Sequence, residues 1–336
     1  MLELLARCAL ALMLLSLAPF AAVGADSYPA GLMDLALTDP VEGGPMRGMV
    51  VYPAGAQGPP SQRGLFTIDA TADAAPSTGS FPLIVVSHGT GGSLVTHHDS
   101  MTTLARAGFV VASVEHPRDN FRDDSGFGTD LQVIGRAHHI VALIDGVLAH
   151  AKIGGLVDPS RIAMAGHSAG GYTALLVAGA VPNYALMEDY RKAVPSDPLR
   201  ARADAVSSFR RKPDLDYVAD PRVRAIFLMA PAAGYIFDRN GLSKVQIPVR
   251  LYRPSTDELL AHPWNAERIA SMLPRRPEYV VLEGAGHFVF LAPCSPAFAA
   301  QVPTICADPP GIDRVAFHHR LNDEMIDFFR RTLAVK

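Results

Sequence analysis

A serine between two glycines is the strongest chemical signal in this chain. Residues 166–170 read Gly-His-Ser-Ala-Gly, a G-x-S-x-G pattern centred on Ser168. The apolar run 162–165 precedes the pattern, and residues 171–176 continue as the start of an apolar helix. Such a strand–turn–helix context strains the backbone of the serine and exposes its hydroxyl above a sheet. We therefore predict that Ser168 is a nucleophile; the alternative is a small-residue turn that only joins a strand to a helix.

A serine hydroxyl needs a base that takes its proton and a third group that orients the base. The predicted base is His287, which lies in a glycine-rich loop just beyond the last strand-like run, 279–282. A glycine-rich loop at this place can reach the serine turn. The position also agrees with the chain order serine, acid, histidine that is typical of such sites. The alternative is a loop histidine that makes only a structural hydrogen bond.

The predicted acid is Asp257, which follows the strand-like run 247–252. Catalytic groups gather at the carboxyl ends of parallel strands, and an acid at that edge can fix the tautomer of His287. Glu258 is the nearest rival, and Asp238 is a weaker one. Asp257 could instead be a surface residue that caps the next helix.

The oxyanion of an acyl-transfer intermediate needs hydrogen-bond donors, usually backbone N–H groups. Residues 87–92 read Ser-His-Gly-Thr-Gly-Gly directly after the apolar run 83–86. A loop of this type supplies one donor, and the residue after the nucleophile supplies the other. We predict that these donors are Thr90 and Ala169, unless the glycines only form a tight turn.

Strand-like and helical runs alternate along the chain, which predicts an α/β fold with a mostly parallel central sheet and helices on both faces. Helices are predicted over residues 101–107 and 131–151 and through 321–329. Strands are predicted at residues 46–52, 65–68, 83–86, 109–114, 161–167, 223–229, 247–252 and 279–282. We expect a single domain over residues 26–336.

Residues 182–222 interrupt the alternation of strands and helices. They contain five prolines and many charges, between the helix after Ser168 and the next strand. An insertion at this place is either a lid over the site or a solvated surface excursion, and both interpretations stay open.

The N-terminus has the pattern of a secretory signal peptide. Arg7 precedes an apolar run of about 14 residues, and Val23 and Ala25 are small residues at the −3 and −1 positions of a cleavage site before Asp26. The alternative is a membrane anchor, but a span needs about 20 apolar residues. We predict that residues 1–25 are removed, that no integral membrane segment remains, and that the protein is periplasmic or secreted.

Two cysteines, Cys294 and Cys306, remain after that cleavage. An even pair in an exported protein predicts a disulfide, because the compartment is oxidising. The alternative is two unpaired buried thiols.

Composition and motif spacing exclude several function classes. The chain has 336 residues, 49% of them hydrophobic, and a net charge of −3, so we expect no general attraction to nucleic acid. Three pairs of adjacent histidines occur, but sequence neighbours point in different directions and chelate poorly. No H-E-x-x-H or C-x-x-C spacing is present. We predict no metal site.

Taken together, these residues resemble the α/β-hydrolase family over nearly all of the mature chain. Within that family the chain is most similar to bacterial dienelactone hydrolases related to platelet-activating-factor acetylhydrolases. The resemblance implies the α/β-hydrolase fold and hydrolysis of short carboxylic esters without a cofactor. Dienelactone hydrolases use a cysteine nucleophile, whereas this chain has Ser168, which favours a general serine esterase. The resemblance is carried by residues 85–92, 115–117, 166–171, 286–287 and 292–314.

The sequence thus predicts an exported serine hydrolase that cleaves a small-molecule ester through an acyl-enzyme. Acyl transfer to an alcohol would use the same three residues, and a binding protein on a hydrolase scaffold would need none of them. A dehalogenase is disfavoured, because that chemistry needs an aspartate at the position of Ser168. Five aromatic residues are candidates for the pocket wall: Phe121, Phe127, Tyr172, Tyr184 and Phe288.

Overall fold

The computed structural model describes residues 28–199 and 212–334. The predicted signal segment 1–25 lies outside the described residues. The strands are, in chain order, β1 (Ala30–Thr38), β2 (Pro45–Pro53), β3 (Ser61–Arg63), β4 (Phe66–Ile68), β5 (Thr71–Ala72), β6 (Phe81–Ser87), β7 (Val110–Glu115), β8 (Val157–His167), β9 (Val223–Met229), β10 (Val249–Pro254) and β11 (Glu278–Leu282).

The α-helices alternate with these strands. They are α1 (His98–Arg106), α2 (Arg136–Ala149), α3 (Ala169–Val177), α4 (Met187–Ala193), α5 (Ala266–Met272), α6 (Pro296–Gln301), α7 (Pro303–Cys306) and α8 (Arg314–Thr332). A five-residue π-helix, Leu131–Gly135, leads directly into α2.

Nine strands form one sheet in the order β11-β10-β9-β8-β6-β7-β2-β1-β5. Every pair from β7 through β11 is parallel, whereas β2 pairs antiparallel with both β1 and β7. The predicted mostly parallel sheet is therefore confirmed. The carboxyl ends of parallel strands meet at one edge of the sheet. The loops that carry Thr90, Ser168, Asp257 and His287 all leave the sheet at that edge.

The sheet has a hydrophobic core on each face, because successive strand residues point to opposite sides. Val85 belongs to the core that α2, α3 and α5 cover, and Val86 belongs to the core beneath α1 and α8. Both residues are almost completely buried. A sheet covered on both faces explains why its central strands are continuously apolar in sequence.

Two features differ from the sequence-based expectation. The strand β1, which lies next to the short edge strand β5, had no counterpart in the prediction. Its alanines, leucines and methionine favour a helix as much as a strand; nine antiparallel pairs with β2 fix it as a strand. The predicted helix 131–151 begins as a π-helix and ends at Ala149. Apolar spacing cannot reveal that first widened turn.

One helical stretch among the described residues, Leu131–Ala149, is long and apolar enough to cross a membrane by length and composition alone. Core helices of soluble proteins meet the same criterion, and most of this stretch is buried against the sheet. It packs on the same face of the sheet as α3 and contacts that helix.

Candidate active site

Ser168 occupies the single position between β8 and α3. Its φ of 54° and ψ of −118° lie in a region that residues with a side chain rarely adopt. Its N–H donates to the carbonyl of Met229 at 2.9 Å, and its carbonyl accepts from the N–H of Ala232 at 3.0 Å. Hydrogen bonds from β9 and the loop after it therefore hold the strained turn in place.

The glycines of the motif permit this turn. A methyl group at Gly166 would overlap the backbone of Gly170, and one at Gly170 would overlap the carbonyl of Ser87. Gly171 lies against Pro231, at 2.9 Å from where its own Cβ would be. The strand and helix approach too closely for any side chain at these positions, which explains the G-x-S-x-G-G spacing.

His287 opens a short 3-10 turn after β11 and lies beside Asp257. Its Nδ1 is 2.9 Å from Oδ2 of Asp257, and the two side chains are 2% and 7% exposed. The other carboxylate oxygen of Asp257 accepts from the N–H groups of Leu259 and Leu260 at 3.0 and 2.8 Å. With Nδ1 donating to this fixed carboxylate, Nε2 is the ring nitrogen that can act as a base.

The two rival acids have other partners. Glu258 accepts a hydrogen bond from the backbone N–H of His287 at 2.9 Å, so it contacts the loop and not the ring. Asp238 accepts from the N–H of Gly241 and from the side-chain amide of Asn183, and neither partner belongs to the His287 loop. The geometry thus favours Asp257 over both rivals.

His167, which precedes the serine, packs against His287. Their ring centroids are 4.7 Å apart, and Nε2 of His167 donates to the carbonyl of His287 at 3.1 Å. Burial, followed by the neighbouring histidines, lowers the pKa of His167 well below its ordinary value. His167 therefore stays neutral and adds no repulsion when His287 takes up a proton.

The two predicted oxyanion donors, Thr90 and Ala169, line the same cavity as Ser168 and His287. Ala169 is the first residue of α3, where an N–H group has no carbonyl partner in its own helix. The N–H of Gly91, which follows Thr90, is bound to Asp119 at 3.2 Å. Both residues therefore share one cavity with Ser168, and their role as oxyanion donors stays a prediction.

A cavity of about 1370 Å³ opens at the serine turn. All five aromatic residues proposed for the pocket line it: Phe121, Phe127, Tyr172, Tyr184 and Phe288. Their placement confirms that part of the sequence analysis.

One wall of the cavity comes from the segment predicted as a lid or a surface excursion. Residues 200–211 of that segment lie outside the described residues. Before them, Met187 and Tyr190 of α4 line the cavity, together with Tyr184. Tyr190 stacks on Tyr235, with ring centroids 3.8 Å apart and planes at 3°. The described part of the segment thus forms a tyrosine-rich wall beside the serine.

A second part of the cavity wall is held by a disulfide. Cys294 and Cys306 are bonded, as predicted, and the bond encloses α6 and most of α7. Phe298, Val302 and Ile305 from this loop line the cavity. Among residues 28–199 and 212–334, no group of three His, Cys, Asp or Glu side chains is arranged to hold a metal ion.

Sequence reasoning missed the polar residues behind the Thr90 loop. Gln132 and Arg136 lie four residues apart in a mainly apolar helical run, and both hydrogen-bond to that loop. A glutamine and an arginine on the buried face of a helix were the signal that could have revealed them, because such groups are buried only with partners.

A sheet of this topology, with a serine at the strand–helix turn and a histidine–aspartate pair beside it, defines the class of α/β hydrolases. The chain belongs to the alpha/beta hydrolase family: the model of that family matches residues 84–301.

Comparison with solved structures agrees on the fold. The chain is similar to a ferulic acid esterase from Streptomyces cinnamoneus, with a TM-score of 0.65 and 21% sequence identity, over 93% of this chain and 92% of that one. A comparison with curated protein sequences finds no match.

Proposed function

We propose that this protein is an exported serine hydrolase that cleaves carboxylic esters. The observation that carries the proposal is the strained Ser168 in one cavity with His287, whose Nδ1 lies 2.9 Å from Asp257. Each group has the role that acyl transfer needs, and the order serine, acid, histidine along the chain is that of the fold. The predicted signal segment and the Cys294–Cys306 disulfide support export.

The reaction takes two steps. Ser168 Oγ attacks the ester carbonyl while Nε2 of His287 takes its proton, and the N–H groups of Thr90 and Ala169 stabilise the oxyanion. His287 then protonates the leaving alcohol, and an acyl-enzyme remains. Water, deprotonated by His287, attacks the acyl-enzyme and releases the carboxylic acid. Asp257 holds the ring and stabilises the imidazolium throughout.

The proposed substrate has a short acyl chain, as expected of the dienelactone-hydrolase and acetylhydrolase relatives that the sequence resembles. The test is the initial rate on p-nitrophenyl acetate, butyrate, octanoate and palmitate, for wild type and Ser168→Ala. Ser168→Ala should lower kcat by about 10⁴-fold or more. Ser271→Ala, on the exposed side of α5, is the matched control and should match wild type. Turnover retained by Ser168→Ala would overturn the serine mechanism.

A second candidate is hydrolysis of esters of aromatic acids. A site for a small ligand usually has about 300–1,000 Å³, so a cavity of about 1370 Å³ exceeds what a short acyl ester fills. The tyrosine-rich wall offers flat rings and hydroxyls, and burial raises the pKa of Tyr172, so that its hydroxyl stays protonated. The similar fold of the ferulic acid esterase adds to this candidate. A kcat/KM for methyl ferulate above that for p-nitrophenyl acetate would favour it.

Two alternatives use the same scaffold. Acyl transfer to an alcohol shares every residue of the hydrolysis, and product analysis with added alcohol separates the two reactions. A non-catalytic binding protein would leave Ser168 unreactive toward a fluorophosphonate probe. We expect labelling that Ser168→Ala abolishes.

A further inference from the structure

Three polar residues that the proposed reaction does not use lie behind the Thr90 loop. They are Asp119, Gln132 and Arg136. The side chains of Asp119 and Arg136 are completely buried and form an ion pair of 2.5 Å. Burying two charges is costly, so the pair must be tied to further hydrogen bonds to persist. Those hydrogen bonds lead to the loop that carries the proposed oxyanion donor.

Gln132 contacts Thr90 directly. Its Nε2 donates to Oγ1 of Thr90 at 2.9 Å and to Oδ2 of Asp119 at 2.9 Å, and its Oε1 accepts from the N–H of Gly128 at 2.8 Å. The backbone donor at Gly128 fixes which end of the amide is oxygen. The side chain therefore has one orientation, with its NH₂ group toward the loop.

The ion pair holds the rest of the loop. Asp119 accepts from the N–H of Gly91 at 3.2 Å, and Nη2 of Arg136 donates to the carbonyl of His88. Nε of Arg136 donates to Oγ1 of Thr173 at 3.1 Å. Because Thr173 lies on α3, the same guanidinium links the Thr90 loop to the helix that carries Ala169.

Gln132 and Arg136 lie where a π-helical turn joins α2. Gln132 lies in the π-helix Leu131–Gly135, and Arg136 is the first residue of α2. A π-helical turn gives up regular helical geometry and often marks a functional site. Residues four apart lie on the same face of a helix, so the side chains of Gln132 and Arg136 can both reach the Thr90 loop.

We propose that Gln132, backed by the Asp119–Arg136 pair, is a positioning residue that aims the N–H of Thr90 at the developing oxyanion. The inference rests on the proposed function. An oxyanion donor acts only within about 2.7–3.1 Å of the oxygen in the transition state. By composition the loop backbone has wide conformational freedom, since Gly89, Gly91 and Gly92 flank Thr90 and Gly91 has a φ of +68°. The hydrogen bonds from Gln132 and the ion pair remove that freedom.

The test uses Gln132 and Thr90, because removing either charge of the buried pair would leave the other unpaired and endanger folding. Gln132→Met keeps the length of the side chain and removes its donors. We expect kcat on p-nitrophenyl butyrate to fall about 10- to 100-fold with KM within about twofold, since the donor is misaimed and not removed. The thermal midpoint, measured in parallel, shows whether the variant is folded.

Thr90 supplies the matched pair of variants. Thr90→Val removes the hydroxyl that accepts from Gln132 and should reproduce the fall in kcat, whereas Thr90→Ser keeps that hydroxyl and should restore most of it. The double variant Gln132→Met/Thr90→Val should fall no further than the single variants, because both remove the same hydrogen bond. Thr102→Val loses a buried hydroxyl that donates to the carbonyl of His98 at 2.8 Å, away from the cavity, and should match wild type.

Three results would overturn the proposal. The first is a wild-type kcat in folded Gln132→Met. The second is a change confined to KM, which would make Gln132 a substrate contact. The third is a loss of kcat in the double variant equal to the sum of the two single losses in free energy. Ser168→Ala in the same series separates the two levels of inference. If Ser168→Ala keeps turnover, the proposed function fails; if it is inactive while Gln132→Met is unchanged, only the role of Gln132 fails.

Discussion

Two neighbouring carboxylates, Asp257 and Glu258, both contact His287, but through different groups. Asp257 accepts from the ring and Glu258 accepts from the backbone N–H. Only the first contact can set the tautomer and stabilise the imidazolium. Substitution of Asp257 should therefore lower kcat far more than substitution of Glu258.

Asp257→Asn should lower kcat on p-nitrophenyl butyrate by about 10³- to 10⁴-fold, because an amide that donates to Nδ1 favours the wrong tautomer. Glu258→Gln keeps an oxygen for the backbone N–H of His287 and is the matched control, with kcat within a few-fold of wild type. Steady-state kinetics on both variants decides the matter, and the reverse order of losses would make Glu258 the acid.

Single residues differ in how far the sequence reveals them. Ser168 and His287 could be predicted, because each follows a strand in a glycine-rich turn whose place in the chain is distinctive. Gln132 could have been noted as a polar residue on a buried helix face, but its contacts could not be predicted, since Thr90 and Asp119 lie in other segments and only the tertiary fold brings them together.

At the scale of elements, the disulfide bond restrains a loop of the cavity wall. Removal of the bond should alter the cavity and leave Ser168, His287 and Asp257 in place. The bond between Cys294 and Cys306 restrains α6 and α7, which supply Phe298 and Ile305 to the wall. Arg314 also restrains the loop, because it donates to Asp308 at 2.8 Å and to the carbonyl of Ile305 at 2.9 Å. His287 and Asp257 lie outside the loop.

The double variant Cys294→Ser/Cys306→Ser should raise KM for p-nitrophenyl octanoate several-fold, while kcat/KM for p-nitrophenyl acetate stays near wild type. Only the larger acyl group is long enough to contact the part of the cavity wall that Phe298 and Ile305 form. The free energy of unfolding should fall by about 3 kcal/mol or less, the entropy of one short closed loop. Reductant should reproduce these effects in wild type and leave the double variant unchanged. An equal loss on every ester would show that the bond supports the whole fold instead.

Strands were predicted well where both faces are buried, because burial makes their sequences mainly apolar. The central strands β6 to β9 are mainly apolar and were found near their observed bounds, except that β8 begins at Val157, ahead of its apolar half. β3 and β5, with three and two residues, were missed because neither contains an apolar run, whereas the equally short β4 lies within the apolar run 65–68. Their strand form depends on pairing with β4 and β1.

At the scale of the whole molecule, folding buries several histidines whose pKa is thereby lowered, so that they are neutral in the folded protein. Burial is the largest cause that lowers the pKa of six of them: His88, His97, His98, His116, His139 and His167. The pKa falls to about 3 for His88 and about 4 for His97. The unfolded chain binds these protons at a pH where the folded protein does not.

Stability should therefore be complete above about pH 6.5 and fall as the pH drops from 6.5 toward 4, because the unfolded state binds more protons in that window. Carboxylates contribute at lower pH: burial raises the pKa of Asp99, but the hydrogen bond and charge of His318 outweigh it and lower that pKa to about 2. The stability from Asp99 is lost only below about pH 4. Denaturant unfolding between pH 7 and 4 measures the slope of the free energy against pH.

His97→Asn isolates one proton of this effect. Nδ1 of His97 donates to the carbonyl of Phe290 at 3.0 Å, and the side-chain amide of asparagine can make the same hydrogen bond. The variant should lower the slope by up to about 1.4 kcal/mol per pH unit between pH 6.5 and 4. His319→Asn on the exposed side of α8 is the control for the substitution itself and should keep the wild-type slope. A wild-type slope in His97→Asn would mean that other groups take up the protons that unfold the protein in acid.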